Sequence, residues 1–259
     1  MEIVILPTAT DGGRFVADVV ETAVRRGPTV LGLATGSSPL PAYRELVRRH
    51  RDESLSFAAV EAFLLDEYVG LPAGHPQSYR EVIRRELTGA LDIGGVHAPD
   101  GTHPHPPTAA AAYETALGRV RVQILGIGAN GHLGFNEPGS SLTSLTRVKT
   151  LARRTREDNA RFFPHLDDVP RHVITQGLGT IGRAEHLVLL AAGPHKAAAV
   201  AAAVEGPLTA SCPASVLQWH PHVTVVLDDA AASRLQRAEY YREILAHKPD
   251  WAADAFRAE

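Results

Sequence analysis

Short runs of contiguous apolar residues alternate along the chain with stretches whose apolar positions recur at helical spacing. The runs predict strands at Glu2–Pro7, Thr29–Ala34, Phe57–Leu65, Arg121–Gly126, Glu185–Ala191 and His222–Leu227. Helical patterns fall between them at Gly12–Arg26, Pro39–Arg51, Ser78–Leu87, Thr108–Leu117, Arg156–Phe163, Pro194–Val204 and Asp229–Arg237. Pro39 and Pro194 suit first-turn positions, where the N–H that proline lacks would go unpaired anyway. Contiguous rather than alternating apolarity marks strands covered on both faces, as in a parallel sheet. The expected fold is therefore α/β: a doubly wound, Rossmann-like, mainly parallel sheet with helices on both faces. Residues 1–259 read as a single domain, with 249–259 as a tail. No linker, charge block or internal repeat interrupts the pattern; the loosest stretch, His97–Pro107, is too short to separate domains.

The charge balance adds exclusions. With 26 basic and 29 acidic residues among 259, the formal net charge is −3, whereas a general nucleic-acid binder shows a basic surplus. One cysteine, Cys212, rules out an internal disulfide and points to a reducing compartment, here the cytoplasm. The start lacks a basic segment ahead of its short apolar run, so no signal peptide is expected, and no run reaches the roughly 18 apolar residues of a membrane span.

In a doubly wound sheet, ligands sit beyond the carboxyl ends of the strands, and the unusual residues cluster just after the apolar runs. After the second strand comes Thr35-Gly36-Ser37-Ser38, a small-residue turn leading into a helix, with hydroxyls and N–H groups suited to an anion or, more plainly, to a helix cap. After the third stand two adjacent carboxylates, Asp66 and Glu67. One suits a general base raised in pKa by burial; a loop acid capping the helix from Ser78 is the plainer reading. The run Gly126-Ile127-Gly128-Ala129-Asn130-Gly131-His132 spells a Gly-x-Gly-x-x-Gly pattern. Phe135-Asn136-Glu137-Pro138-Gly139 follows it, which is loop chemistry and excludes the dinucleotide fingerprint. The glycines instead present His132, with Glu137 placed to hold its second ring nitrogen and raise its pKa. A dispersed basic set comprises Arg147, Lys149, Arg161 and Lys196; Lys196 opens a helix, where a bound anion would offset its conflict with the dipole. His103-x-His105 and His220-x-His222 have metal-compatible spacing but no third ligand nearby, so no metal site is expected.

In combination, "LDEYVGL…HPQSY" and "GIGANGHLGFNEPGSSL" resemble the glucosamine-6-phosphate deaminase family, and the similarity extends from the first strand to about Tyr241. The related 6-phosphogluconolactonases are expected to carry Asp-Glu-Arg where Asp66-Glu67-Tyr68 stands, and to lack the block Phe135–Pro138. The resemblance implies conversion of glucosamine 6-phosphate and water to fructose 6-phosphate and ammonia, with no metal or organic cofactor. It assigns ring opening to His132 oriented by Glu137, proton transfer between C2 and C1 to Asp66, and phosphate binding to Ser37, Ser38, Arg161 and Lys196 beside the Thr35-Gly36 turn. Some members carry Asp at position 130; Asn130 cannot ionise, which leaves it to orient His132 or bind a hydroxyl. In some hexameric members N-acetylglucosamine 6-phosphate is an activator, and the corresponding positions here are Ser140, Arg147, Lys149, Thr150 and Tyr240. The implied partners are a sugar phosphate, that effector and further copies of the chain, but neither nucleic acid nor membrane. The other readings are a lactonase or isomerase on the same scaffold and a non-catalytic sugar-phosphate sensor.

Overall fold

Side chains of alternate strand residues enter two separate apolar layers, one on each face of a central sheet. In the computed structural model, which describes residues 1–249, the chain forms β1 (Glu2–Leu6), α1 (Ala9–Arg25), β2 (Thr29–Leu33), α2 (Leu40–Glu53), β3 (Val60–Leu64), β4 (Asp66–Tyr68), α3 (Tyr79–Glu86), β5 (Gly95–His97), α4 (Pro106–Ala116) and β6 (Val122–Gly126). It continues through β7 (Arg147–Thr150), α5 (Arg153–Asn159), β8 (His172–Thr175), α6 (Leu178–Ile181), β9 (His186–Ala191), α7 (Ala197–Val204), β10 (Val223–Asp228), α8 (Asp229–Ala232) and α9 (Ala238–Ala246). Seven strands form one sheet in the order β1-β10-β9-β6-β2-β3-β5, every pairing parallel.

Val4, Val226, Val188 and Ile124 project into the layer formed by Val16, Ala17 and Val20 of α1 and Tyr43 and Leu46 of α2. Their neighbours Ile3, Ile5, Leu125, Leu189 and Val225 face the opposite layer, with Val200 and Ala203 of α7 and Ala231 of α8. This two-sided burial is why the six long apolar runs read as contiguous. The doubly wound expectation holds. α1 and α2 approach so closely that a methyl on Gly13 would stand 2.5 Å from Pro41 Cβ.

Four strands carried too little apolar signal to predict. β4, β8 and β7 form a second, antiparallel sheet in that order, and β5 is the outer strand of the first. β7 reads Arg-Val-Lys-Thr and is held by its partner strand rather than by its own composition. The helices are corrected too. α5 begins at Arg153, ahead of the expected Arg156, and gives way to a 3-10 turn at Ala160–Phe162. The helix expected to Arg237 stops at Ala232, and α9 was not expected. Pro39 is the residue before α2, and Pro41 takes the first-turn position instead. Of the expected 249–259 tail, all but Pro249 lies outside the described residues, among which no helix is long and apolar enough to cross a membrane.

β6 marks the switch in strand order. From β2 the chain moves outward through β3 to β5, then returns to place β6 on the other side of β2. The crevice beyond the carboxyl ends of β2 and β6 is where this topology leaves room for a ligand. Ser38 meets Gly126 there: a methyl on Gly126 would lie 3.6 Å from Ser38 Cβ.

Candidate active site

The two adjacent carboxylates turn out to have different surroundings. Glu67 is structural. Its Oε1 accepts from the backbone N–H groups of Tyr68 (2.8 Å) and Tyr79 (2.9 Å), and its Oε2 from that of Arg80 (3.0 Å). Tyr79 and Arg80 open α3, so Glu67 satisfies donors that the helix leaves free. The sequence offered this capping reading for the pair, and it holds for Glu67. Replacing Glu67 by Ala strands one buried and two partly buried donors and is expected to lower unfolding stability by roughly 2–3 kcal/mol; chemical denaturation of the variant beside the parent measures it.

Asp66, the first residue of β4, is 4% exposed, and no described residue hydrogen-bonds its carboxyl group. Burial, reinforced by the nearby charge of Glu67, pushes its pKa up to about 8. Gly134 passes directly over it: a methyl there would lie 3.2 Å from Asp66 Oδ2 and 3.1 Å from Thr175 Oγ1. Gly134 has φ +54°, so it supplies both the clearance and the left-handed backbone.

Two residues before Gly134, His132 stands on the turn beyond β6, with Gly128 N–H donating to its carbonyl at 2.9 Å. Its Nδ1 lies 2.7 Å from Asn130 Oδ1. The Asn130 amide is oriented by its Nδ2, which donates to Glu137 Oε2 at 2.6 Å. With Oδ1 turned to the imidazole, Nδ1 carries the hydrogen, and Nε2 keeps its lone pair. Glu137 was expected to hold the ring directly and raise its pKa. Instead Glu137 Oε1 is 3.7 Å from Nδ1, and Asn130 stands in the relay between them. Burial lowers the His132 pKa, against the opposing charges of Glu137 and Asp158 and with the help of Lys196. Thr155 on α5 donates to Glu137 Oε1 at 2.7 Å. Nothing in the sequence marked that residue.

The anion side is built from the other strand ends. Neither Ser37 nor Ser38 caps α2, whose leading residue is Pro39 without a side-chain cap bond. Both hydroxyls are without a hydrogen-bond partner among the described residues. Gly36 turns the loop at φ +97° beside the half-buried Thr35. Lys196 sits at the start of α7, and burial, then the charge of Arg161, lowers its pKa. Two cations near enough for one to lower the pKa of the other favour an incoming anion. Arg161 lies in the turn after α5, its guanidinium 4.7 Å over the Phe162 ring. The turn before Lys196 is pinned by Asp228 at the end of β10, whose carboxylate accepts from Gly193 N–H at 3.0 Å. That acid followed an apolar strand, a signal the sequence did offer.

The structure thus draws Asp66, Asn130, His132, Glu137, Ser38, Lys196 and Arg161 toward one rim of the sheet. The remaining expected positions are divided. Arg147, Lys149 and Thr150 lie on β7, and Ser140 is buried, its hydroxyl without a partner among the described residues. Tyr240 is exposed on α9, which packs against β1 at the far edge of the large sheet. No group of three or more His, Cys, Asp or Glu among the described residues could hold a metal ion. His103 Nδ1 meets the backbone of His105, His105 Nδ1 lies 2.7 Å from Thr108 Oγ1, and both His220 ring nitrogens meet backbone carbonyls. A cavity of about 1090 Å³ opens at the amino ends of the strands, beside Phe15, Val122 and Leu245, and none of the catalytic candidates lines it.

Residues 8–226 match the family described as glucosamine-6-phosphate isomerases/6-phosphogluconolactonase. The chain is 62% identical over 256 residues to a glucosamine-6-phosphate deaminase of Rhodococcus opacus (strain B4), covering 97% of this chain and 99% of that one. It is 55% identical over 258 residues to the protein of the same name from Streptomyces coelicolor, covering 97% and 99%. Among solved structures, a monomeric glucosamine-6-phosphate deaminase superposes with TM-score 0.87 at 38% identity, over 90% of this chain and 100% of that one. The 6-phosphogluconolactonase of Trypanosoma brucei superposes with TM-score 0.68 at 20% identity, over 90% and 98%, a likeness of fold.

Proposed function

This chain belongs to the family of glucosamine-6-phosphate isomerases and 6-phosphogluconolactonases, and from that membership we propose that it is a glucosamine-6-phosphate deaminase, taking glucosamine 6-phosphate and water to fructose 6-phosphate and ammonia. The observation that carries this reading is the buried, unpaired Asp66 carboxyl facing the His132 loop across Gly134. An aldose–ketose shift needs one base that lifts a proton from C2 and returns it to C1. A carboxyl group at a strand end, with no partner among the described residues to hold it, is free to reach both carbons.

His132 Nε2, with its lone pair available, takes the proton of the anomeric hydroxyl and returns one to the ring oxygen, which opens the pyranose. Asn130 and Glu137 hold the tautomer that makes this possible. Asp66 then removes the C2 proton to give the enolamine, and protonation at C1 gives the ketimine. Water adds to the ketimine carbon, and ammonia leaves. Ser37, Ser38, Arg161 and Lys196 hold the phosphate with the Thr35-Gly36 turn. Binding energy gained there, away from the reacting carbons, positions them. Tyr68 is packed against Tyr79 and Phe135, so an aromatic wall stands where the lactonases were expected to place an arginine.

The setting we propose is the cytoplasm, supported by Cys212 being a buried free thiol. N-acetylglucosamine 6-phosphate as an effector has the support of Arg147, a half-buried guanidinium whose one hydrogen bond among the described residues is to the Leu145 carbonyl. The deciding measurement pairs two substrates. The purified chain is expected to release ammonia and fructose 6-phosphate in equal amounts from glucosamine 6-phosphate and to leave 6-phosphogluconolactone at its background rate. Lactone hydrolysis without ammonia would replace this reading with a lactonase. Turnover of neither substrate, with retained sugar-phosphate binding, would replace it with a sensor.

A further inference from the structure

We propose that Thr155 is a positioning residue for ring opening: its hydroxyl holds Glu137 away from His132, so that Asn130 rather than the carboxylate receives the imidazole N–H. The inference rests on the ring-opening role given to His132 above.

The geometry leaves Glu137 two ways to satisfy itself. Its Oε2 is taken by Asn130 Nδ2 at 2.6 Å, and its Oε1 by Thr155 Oγ1 at 2.7 Å. Oε1 is also the oxygen nearest His132 Nδ1, at 3.7 Å, just beyond hydrogen-bond reach. A threonine hydroxyl has a single proton to donate, and here it goes to that oxygen. Without it, Oε1 is free to rotate onto Nδ1 and displace Asn130. The two arrangements differ in chemistry. An imidazole N–H held by a neutral amide oxygen stays basic at Nε2 without strongly favouring the charged ring. One held by a carboxylate is pulled toward the imidazolium, which has no lone pair to open the sugar.

The groups that face His132 fix the sign. Glu137 and Asn130 come from its own loop, Asp158 from α5, and Lys196, with Arg161 behind it, from the turn before α7; Asp66 lies across Gly134. Asp158 and Glu137 favour the charged ring, and Lys196 and burial oppose it. Thr155 stands on the same α5 as Asp158, and that helix leads into Arg161.

Thr155→Val keeps the shape and removes the donor. The readout is the His132 pKa, followed by NMR titration of the protein without substrate, together with the pH profile of ammonia release. In the variant the His132 pKa is expected to move up by about one unit, and the pH below which the acid limb of kcat/KM, set first by Asp66, steepens to a second protonation moves up with it. At pH 7 kcat is expected to fall by up to about threefold, as the share of neutral imidazole does, with KM changed less than about twofold, because the phosphate contacts remain. Thr155→Ser is expected to restore both. An unchanged His132 titration and acid limb in Thr155→Val would overturn the inference, as would a Ser variant that behaves like Val. Thr155→Ala carries the same readouts should the Val variant not fold. A parent enzyme that releases no ammonia would remove the functional reading, while the NMR comparison would still decide the role of Thr155.

Discussion

Replacing Asp66 by Asn should lower kcat for ammonia release by about 10³-fold while leaving KM within a few-fold, because the group proposed to carry the C2 proton becomes an amide. The parent's own pH dependence follows from the same burial. The carboxyl titrates near 8 and works as a base only when ionised, so kcat/KM should rise with pH and level off above about 8. Stability should move the other way. Unfolded, an aspartate ionises near its ordinary 3.8; folded, Asp66 keeps its proton to about 8. Between those values the folded state binds the extra proton, so stability is fully present below the lower value and is lost as pH rises through the upper one. The Asn variant loses none of it. At pH 8.5 it should melt above the parent by roughly 4 °C or more, with the difference shrinking toward pH 4. Melting curves that run parallel from pH 4 to 9 would show that this carboxyl does not titrate as the geometry requires.

A methyl group at Gly128 is expected to cost nearly as much activity as removing the imidazole. An alanine Cβ there would stand 2.2–2.4 Å from Cε1, Nδ1 and Nε2 of His132, inside any tolerable contact. The ring would have to leave, and its 2.7 Å bond to Asn130 would go with it. Gly128 does not have a positive φ, so the added carbon carries no backbone strain of its own. The damage should therefore be confined to the site. Gly128→Ala is expected to lower kcat/KM by about 10²-fold or more, similar to His132→Gln, with little change in melting temperature. Steady-state kinetics and a thermal scan on the two variants test this; a Gly128→Ala enzyme with near-parental kcat/KM would mean that the loop gives way without losing the histidine.

The six long strands were legible because most side chains in them are buried on one face or the other, and their apolarity reads directly as burial. β4, β5, β7 and β8 were not, since strands of three or four residues such as Arg147–Thr150 take their order from partners distant in sequence. The site divided along the same line. The glycines around His132 announced it locally, and Asp66 was visible as an acid where an apolar run ends. That Glu67 rather than Asp66 caps α3 could not be read, because it depends on where Tyr79 and Arg80 come to lie. The Glu137–His132 pairing was expected from closeness in sequence, yet the Asn130 amide reached the ring first. Thr155 left no trace, since its role exists only once α5 packs over the loop.

The separation of two apolar layers from one polar rim also bears on how such a chain can change over time. A substitution within either layer is judged by volume, since the neighbours there ask only to be filled. A substitution on the rim is judged by the reaction it permits, since few structural contacts depend on it. The two kinds of drift can then proceed almost independently. A lineage could keep its framework for as long as volumes are conserved while exchanging one sugar-phosphate reaction for another through a handful of edits at the loop tips.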